Sequence, residues 1–494
     1  MPRSRQGAVS ASEGAVPVSD KARRTPHHGV AAAAALWCFV AACWYFFLLT
    51  RGTGQLTAPG SYGLTFNSML LHLLQGRFDV DPDAVGAEGY LGDGAVYAYF
   101  GIFPALFRCI FLPLRNFATT DFTTVSCLTA VCVMAVSKAM TAVVVWRRAG
   151  SPERSRLVWL MLVAILASGP QIQFLRPSIY QETITWAGAF AAVFVFLVVR
   201  GWIEDKGFTP GLLALAAVAA GFCLLTRVST ALGLYLALGL IWLRVAWLAT
   251  RPSMADRRVP RLLGLMLSAL ILVGFAVATG FVNFERWGNP LVFADLSHSI
   301  MAMRYYPDRL LRVQEYGEFN PARLAYGLGY YFLPVWVLHD GSGQLLWSGF
   351  AQRMIDSAEL PPSSFFITDP LLIGLAGYGI VGLVRDRSEP RREFIALAGV
   401  GLVVPIFLML TAISMTFRYR MEFYPLFELL AFVGFARLAA PPNRRATTAV
   451  AVATFAGILS AHAVWMLYML SPFGPAWRVL GQTGVVAFYR SLLP

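Results

Sequence analysis

The chain has 494 residues, of which 57% are hydrophobic and 14% charged, with a formal net charge of +13 and a mean hydropathy of +0.60. A soluble domain carries roughly 25% charged residues, and the recurring apolar runs approach the roughly 20 residues that a helix needs to cross a bilayer, so a soluble protein is excluded. A transmembrane β-barrel, whose mark is short alternating segments, is excluded too, and nucleic acid is no partner: the basic residues lie mostly in short loops between apolar runs, where they set topology, with no zinc-finger spacing, phosphate loop or basic helix.

In chain order, residues 1–29 are polar and basic and read as a disordered cytoplasmic tail. The run at 30–50 is too long for a signal-peptide core and reads as an uncleaved first span. Further spans are expected at 121–146, 157–174, 181–200, 208–225, 229–249, 261–283, 367–385, 393–413, 421–440 and 445–469, eleven in all. The expectation is therefore an all-α polytopic membrane protein with one catalytic domain over 30–469, outer loops at 51–121 and 284–366, and a short outer tail at 470–494. Two broken apolar stretches, 97–114 and 324–338, are expected to be re-entrant or interfacial, because counting both as ordinary crossings breaks the charge pattern. With the tail inside, the inner loops 147–156, 250–261, 385–392 and 440–445 are net positive and 200–207 is neutral. The outer loops reverse this, with four basic and six acidic residues in 51–121 and six basic and eight acidic in 284–366. The six cysteines lie in or beside apolar runs and read as small buried hydrophobes.

The first outer loop holds the clearest chemical signal. "LTFNSMLLHLLQG" (64–76) has its apolar residues on one side of a short helix and is expected along the membrane surface. Asp79, Asp81, Asp83, Glu88 and Asp93 follow, among the turn formers "DPD" and "GDG". A general base needs an ionised carboxylate within hydrogen-bond reach of an acceptor hydroxyl. Asp79 and Asp81 alternate, so an extended backbone turns them to one side. Oxygen ligands of this kind suit a divalent cation, although the spacing does not indicate one. A solvated acidic loop that aids topology is the competing reading.

Other polar groups fall at outer span ends. "RPSIYQETITWAGAF" carries Arg176, Tyr180 and Glu182; "LLTRVST" carries Arg227; "FRYRMEFYPLF" carries Arg418, Arg420 and Glu422. Guanidinium groups grip phosphate through paired hydrogen bonds, so the four arginines are candidates for an anionic ligand. Charge pairs that staple helices together are the structural alternative.

These stretches, with "DGAVYAYFGIFPAL" and "NFERWGNPLVF", resemble in their order the bacterial C-type-fold (GT-C) membrane glycosyltransferases, which include the arabinose-lipid A transferases and protein mannosyltransferases. The resemblance implies a bundle of about 11–13 transmembrane helices with interfacial helices in the first outer loop. It implies inverting transfer of a sugar from a polyprenyl-phosphate donor to an envelope glycan, lipid or protein, on the outer face of a bacterial cytoplasmic membrane. It also implies an acidic catalytic residue in the first outer loop. "RGTGQLTAPGSYG" has no carboxylate, so that role is expected of Asp79 and Asp81. Arg227, Arg418, Arg420 and Arg176 are expected on the donor phosphate, and Tyr180, Glu182, Glu422, Glu88 and Asp93 as orienting groups. A transporter or flippase of a lipid-linked anion is the alternative, and the absence of an evident internal repeat counts against it.

Overall fold

The computed structural model describes residues 20–149, 155–250, 258–333, 349, 353–358, 364–386, 391–438 and 444–470. Every expected span has its helix: α1 (Asp20–Leu49), then, past the first outer loop with its short helix α2 (Thr65–Leu73), α3 (Thr123–Ala149), α4 (Ser155–Ala167), α5 (Ile179–Ile203), α6 (Pro210–Leu224), α7 (Val228–Ala249) and α8 (Arg258–Trp287). The second outer loop contributes α9 (Pro307–Tyr316) and α10 (Leu324–Phe332), and the bundle closes with α11 (Pro370–Arg385), α12 (Arg392–Thr411), α13 (Tyr424–Arg437) and α14 (Arg444–Leu470). Among the described residues eight helical stretches are long and apolar enough to cross a membrane, and α6 and α11 are shorter apolar helices. The first helix begins at Asp20, ahead of the expected start at 30. Residues 1–19 of the expected tail and the outer tail beyond 470 lie outside the described residues.

Burial sorts the helices into inner and outer positions. In α5, 83% of the apolar window is buried, against 22% in α8, so α5 is central and α8 faces outward. Small residues set the close crossings: a Cβ on Gly379 of α11 would lie 2.1 Å from the Leu430 carbonyl oxygen of α13, and one on Gly434 would lie 2.1 Å from that of Leu375. Without a hydrophobic drive between helices in lipid, such backbone approach carries the packing. Three buried pairs cross the bundle, which offsets the cost of an isolated charge in hydrocarbon: Lys138 with Glu428, Arg420 with Asp369 at 2.8 Å, and Arg108 with Glu182 at 2.9 Å.

The first outer loop has its own core. Phe66, Met69 and Leu70 of α2 pack with Val80, Val85 and Phe100. The apolar side of α2 meets protein, because the chain after it folds back over it. The Gly92–Ala95 turn joins strands β1 (Tyr90–Gly92) and β2 (Ala95–Tyr97). Asp93 and Gly94 take φ of 46° and 78°, the left-handed pair that a tight Asp-Gly hairpin turn needs. The stretch 97–114 is no crossing. It breaks into Phe103–Phe107 and Arg108–Phe111, with Pro104 in the first turn, where its missing N–H is harmless. The Phe103 N–H donates to the Leu225 carbonyl at 2.9 Å, and Gly101 lies against the same turn so closely that a Cβ would sit 2.2 Å from that oxygen.

The second outer loop is anchored at both ends. The Ile300 N–H donates to Gly89 at 3.0 Å, the Asn320 N–H to Thr411 at 2.9 Å and the Ile413 N–H to Glu318 at 2.8 Å. Of the stretch 324–338, the structure describes the part through Leu333, where α10 buries Tyr326, Tyr330 and Tyr331.

Candidate active site

The two outer loops and the adjoining helix ends enclose two joined chambers. The first, of about 320 Å³, lies between the Leu225–Ser229 turn, the end of α8 and the start of α5, and it exposes Arg227, Arg286 and Arg418. The second, of about 400 Å³, lies under the second outer loop and exposes Glu88, Glu318 and Arg309. Tyr99, Tyr180, Arg418 and Tyr419 line both and form the junction.

Each arginine of the first chamber is held differently. Arg227 pairs with Glu422, which is 1% exposed and also accepts from the Ser229 hydroxyl at 2.9 Å. Burial would pull the Arg227 proton off, but the Glu422 charge, Tyr419 and the hydrogen bond to Glu422 together outweigh it and hold the guanidinium above its usual value. Arg286 has no carboxylate partner among the described residues. It donates to the Phe100 carbonyl at 2.9 Å and touches the Met69 sulfur at 3.6 Å, and its Nε has no partner among the described residues although the residue is only 6% exposed. A buried guanidinium without a counter-ion is costly, and an entering anion removes that cost. Arg418 stacks on the Tyr180 ring at 4.2 Å, and the Tyr180 side chain interacts with Glu88.

The second chamber carries both signs, Glu88 and Glu318 beside Arg309 and Arg418. Arg309 and Arg312 converge on Asp356 at 2.8 and 3.5 Å, and Glu88 is close enough to act on Arg309 as well. Burial, then the Asp295 charge, pushes the Glu318 carboxyl above the usual range. Burial, then Glu88, pushes the Tyr90 and Tyr99 hydroxyls up.

With this geometry, the chain is similar to the archaeal oligosaccharyltransferase AglB from Archaeoglobus fulgidus, solved with an inhibitory peptide and a dolichol-phosphate: TM-score 0.50, 13% identity, over 90% of this chain and 56% of that one. The chain has the GT-C fold. The Archaeoglobus fulgidus oligosaccharyltransferase in complex with Zn and sulfate gives a TM-score of 0.48 at 12% identity, over 90% of this chain and 53% of that one. Its apo form gives 0.47 at 12% identity, over 87% and 55%. The chain thus spans just over half the length of these enzymes. No protein-family model matches it, and no curated protein matches it in sequence.

On this GT-C bundle the expected site residues divide. Arg227, Arg418, Tyr180 and Glu88 line the cavity, and Glu422 stands behind Arg227. The expectation that Asp79 and Asp81 face the arginines is corrected. Asp79 is held by Arg77 and lies 3.2 Å from His72 Nδ1; Asp81 lies 3.3 Å from His72 Nε2 and accepts from the Ser68 hydroxyl at 2.8 Å. Burial raises the Asp79 carboxyl, but the Arg77 and His72 contacts outweigh it and bring it below the usual range. The chain turns at 82–88 between these aspartates and Glu88, and that turn carries Glu88 to the cavity while the aspartates stay against His72 and Ser68 of α2.

Four more expected residues lie elsewhere. Arg420 spends its donors on Asp369 (2.8 Å), the Thr368 hydroxyl (2.7 Å) and Gln173 (3.1 Å). Arg176 is buried with its guanidinium 4.0 Å from the centre of the Tyr468 ring. Glu182 pairs with Arg108, whose other terminal nitrogen donates to Asn67 at 2.8 Å, and so ties α5 to the first outer loop. Asp93 is at the exposed hairpin tip. Sequence reasoning missed Arg286, Glu318 and Arg309. Arg286 had a signal, a lone cation closing the long apolar run of α8. Glu318 had none, since "YGEFN" reads as an ordinary loop. No group of three or more metal-ligating side chains is present among the described residues.

Proposed function

We propose that the protein transfers a monosaccharide from a polyprenyl-phosphate donor to a hydroxyl of a cell-envelope glycan, lipid or protein, with inversion, on the outer face of a bacterial cytoplasmic membrane. One observation carries this reading: a chamber whose charged lining is Arg227, Arg286 and Arg418 adjoins one that brings in Glu88 and Glu318, and the two meet at Tyr180 and Arg418. The first chamber suits a phosphate whose lipid tail stays in the bilayer, and the second suits an acceptor entering from water. The GT-C fold, and the dolichol-phosphate bound by the archaeal oligosaccharyltransferase, agree with it.

Glu88 takes the role expected of Asp79 and Asp81. Its carboxylate accepts the proton of the acceptor hydroxyl as the acceptor oxygen forms its bond to the anomeric carbon. The bond from that carbon to the phosphate oxygen breaks on the opposite side. Charge grows on the departing lipid phosphate, where Arg286, Arg227 and Arg418 offset it. A phosphate leaves well as the anion, so no general acid is needed. Tyr180, beside Glu88 and under Arg418, fixes the distance between the two ends of the displacement.

The test uses purified protein in lipid, radiolabelled polyprenyl-phosphate sugars and extracts of envelope acceptors. E88Q is expected to lose transfer by about 100-fold or more, the scale of a missing general base, while D79N and D81N keep most of it. Full activity in E88Q, or its loss in D81N alone, would overturn the assignment. Movement of the lipid-linked sugar across vesicles without a covalent product would favour the transporter.

A further inference from the structure

We infer that the start of α7 is the oxyanion site for the departing lipid phosphate: the Val228 and Ser229 N–H groups receive the oxygen that is freed when the sugar bond breaks. This rests on the transfer reading above and deepens it by naming the groups that stabilise the leaving phosphate.

Helix α7 runs for 22 residues, and its N-cap is Arg227, whose side chain makes no capping hydrogen bond. The helix therefore starts uncapped, with no side-chain oxygen on its first donors. The first N–H groups of a helix have no carbonyl behind them, and here the first bond back to the turn comes from the Ala231 N–H, to the Arg227 carbonyl at 3.1 Å. The N–H groups of Val228, Ser229 and Thr230 find no acceptor among the described residues. Val228 and Ser229 line the first chamber. The Thr230 hydroxyl, 1% exposed in the same turn, has no partner among the described residues either. A helix start carries about half a positive charge and suits an anion.

A buried cation faces the same chamber. Arg286 is 6% exposed, lines the chamber, and has neither a carboxylate nor a partner for its Nε among the described residues. One stretch of chain brings it to the start of α7. Arg286 donates to the Phe100 carbonyl at 2.9 Å, and the following residues Gly101 and Phe103 lie against the Leu225 carbonyl just ahead of α7. Glu422 does not fill the place of the anion: its charge is matched by Arg227, and its donors, Arg227 and the Ser229 hydroxyl, are both side chains.

In the donor the phosphate is a diester with a single negative charge. As the bond from the anomeric carbon to the bridging oxygen breaks, its electron pair stays on that oxygen and the phosphate becomes a doubly charged monoester. The acceptor oxygen holds the new bond to carbon and Glu88 holds the acceptor's proton, so nothing else is consumed. Donors that find their oxygen only as this charge appears stabilise the transition state more than the bound donor.

The variant V228P removes one of these N–H groups and spares the helix. Proline is favoured at the first helical position, and Arg227 before it has the extended backbone a proline requires, with φ −150° and ψ 109°. Binding of farnesyl phosphate and of its methyl ester is measured on the whole protein in zwitterionic lipid nanodiscs, with empty nanodiscs subtracted. The methyl ester stands for the donor's diester and farnesyl phosphate for the product. V228P is expected to weaken farnesyl phosphate at least about tenfold, or ~1.4 kcal/mol, and the methyl ester by about threefold or less, with the thermal midpoint kept. Farnesyl phosphate, but not farnesol, should also slow amide exchange at 228–230 in wild type. Unchanged farnesyl phosphate affinity in V228P, equal losses for the two esters, or wild-type exchange at 228–230 that farnesyl phosphate leaves as it was would each overturn the inference; in these cases the transfer reading stands. Failure of wild type to bind farnesyl phosphate overturns the transfer reading and the inference with it. If V228P has no cooperative melt, its fold is damaged and the wild-type exchange decides.

Discussion

Single side chains in this cavity are defined by what they are already bonded to. Arg286 and Arg420 are both buried arginines, yet Arg420 has an aspartate, a threonine and a glutamine, whereas Arg286 has a carbonyl and a thioether and no carboxylate among the described residues. R286Q is therefore expected to weaken farnesyl phosphate binding and lower kcat/KM by about 100-fold, the scale of one lost charge-stabilising donor. R420Q should instead lower the thermal midpoint, because Asp369 is left buried without its cation. An R286Q protein with unchanged phosphate affinity would remove Arg286 from the site. Glu318 gives a pH signature. Its carboxyl is raised above the ordinary value of 4.5, so the folded state holds the proton more tightly than the unfolded chain. Its contribution to stability is complete below that ordinary value and is lost as pH rises through the raised one. The thermal midpoint of E318Q should therefore gain on that of wild type between the two. A constant difference from pH 4 to 7 would show that the carboxyl does not titrate there.

Among the elements, two kinds of joint hold the site. The bundle uses close backbone contact: Gly379 and Gly434 let α11 and α13 cross with their backbones touching. Gly379→Leu is expected to cost at least the roughly 1–3 kcal/mol of an overpacked core, read as a fall in thermal midpoint and in monodisperse yield. The outer loops use hydrogen bonds from one guanidinium. Arg323 reaches four carbonyls, and R323A leaves several of them unpaired at about 1–3 kcal/mol each if no water enters. Faster amide exchange around 317–323 and at Asp356 would report it. R323K should not rescue, because an ammonium cannot reproduce a planar fork. Unchanged exchange in R323A would mean that the turn holds itself.

At the scale of the whole molecule, Asp83 and Asp205 are both exposed and lie on opposite ends of the bundle in the expected topology. D83C and D205C should label from opposite sides of sealed vesicles, and labelling from one side would break the topology. The spans were legible because each is decided by its own contiguous residues: about 20 apolar side chains prefer lipid whatever the rest of the chain does, and flanking arginines choose the side. That is why the helix from Val228 to Ala249 and the run at 229–249 agree almost to the residue. The hairpin at Asp93-Gly94 was legible for the same local reason. The site was legible only in part, as a set of polar residues at outer span ends. Which of them meet was settled by packing between positions up to about two hundred residues apart, as in Arg227 with Glu422. Composition could not tell Glu88 from Asp79, since both are carboxylates in one turn-rich stretch. Only the tertiary structure sent one to the cavity and the other to His72, because the direction of a side chain depends on the path of the backbone and on the partner waiting at its end.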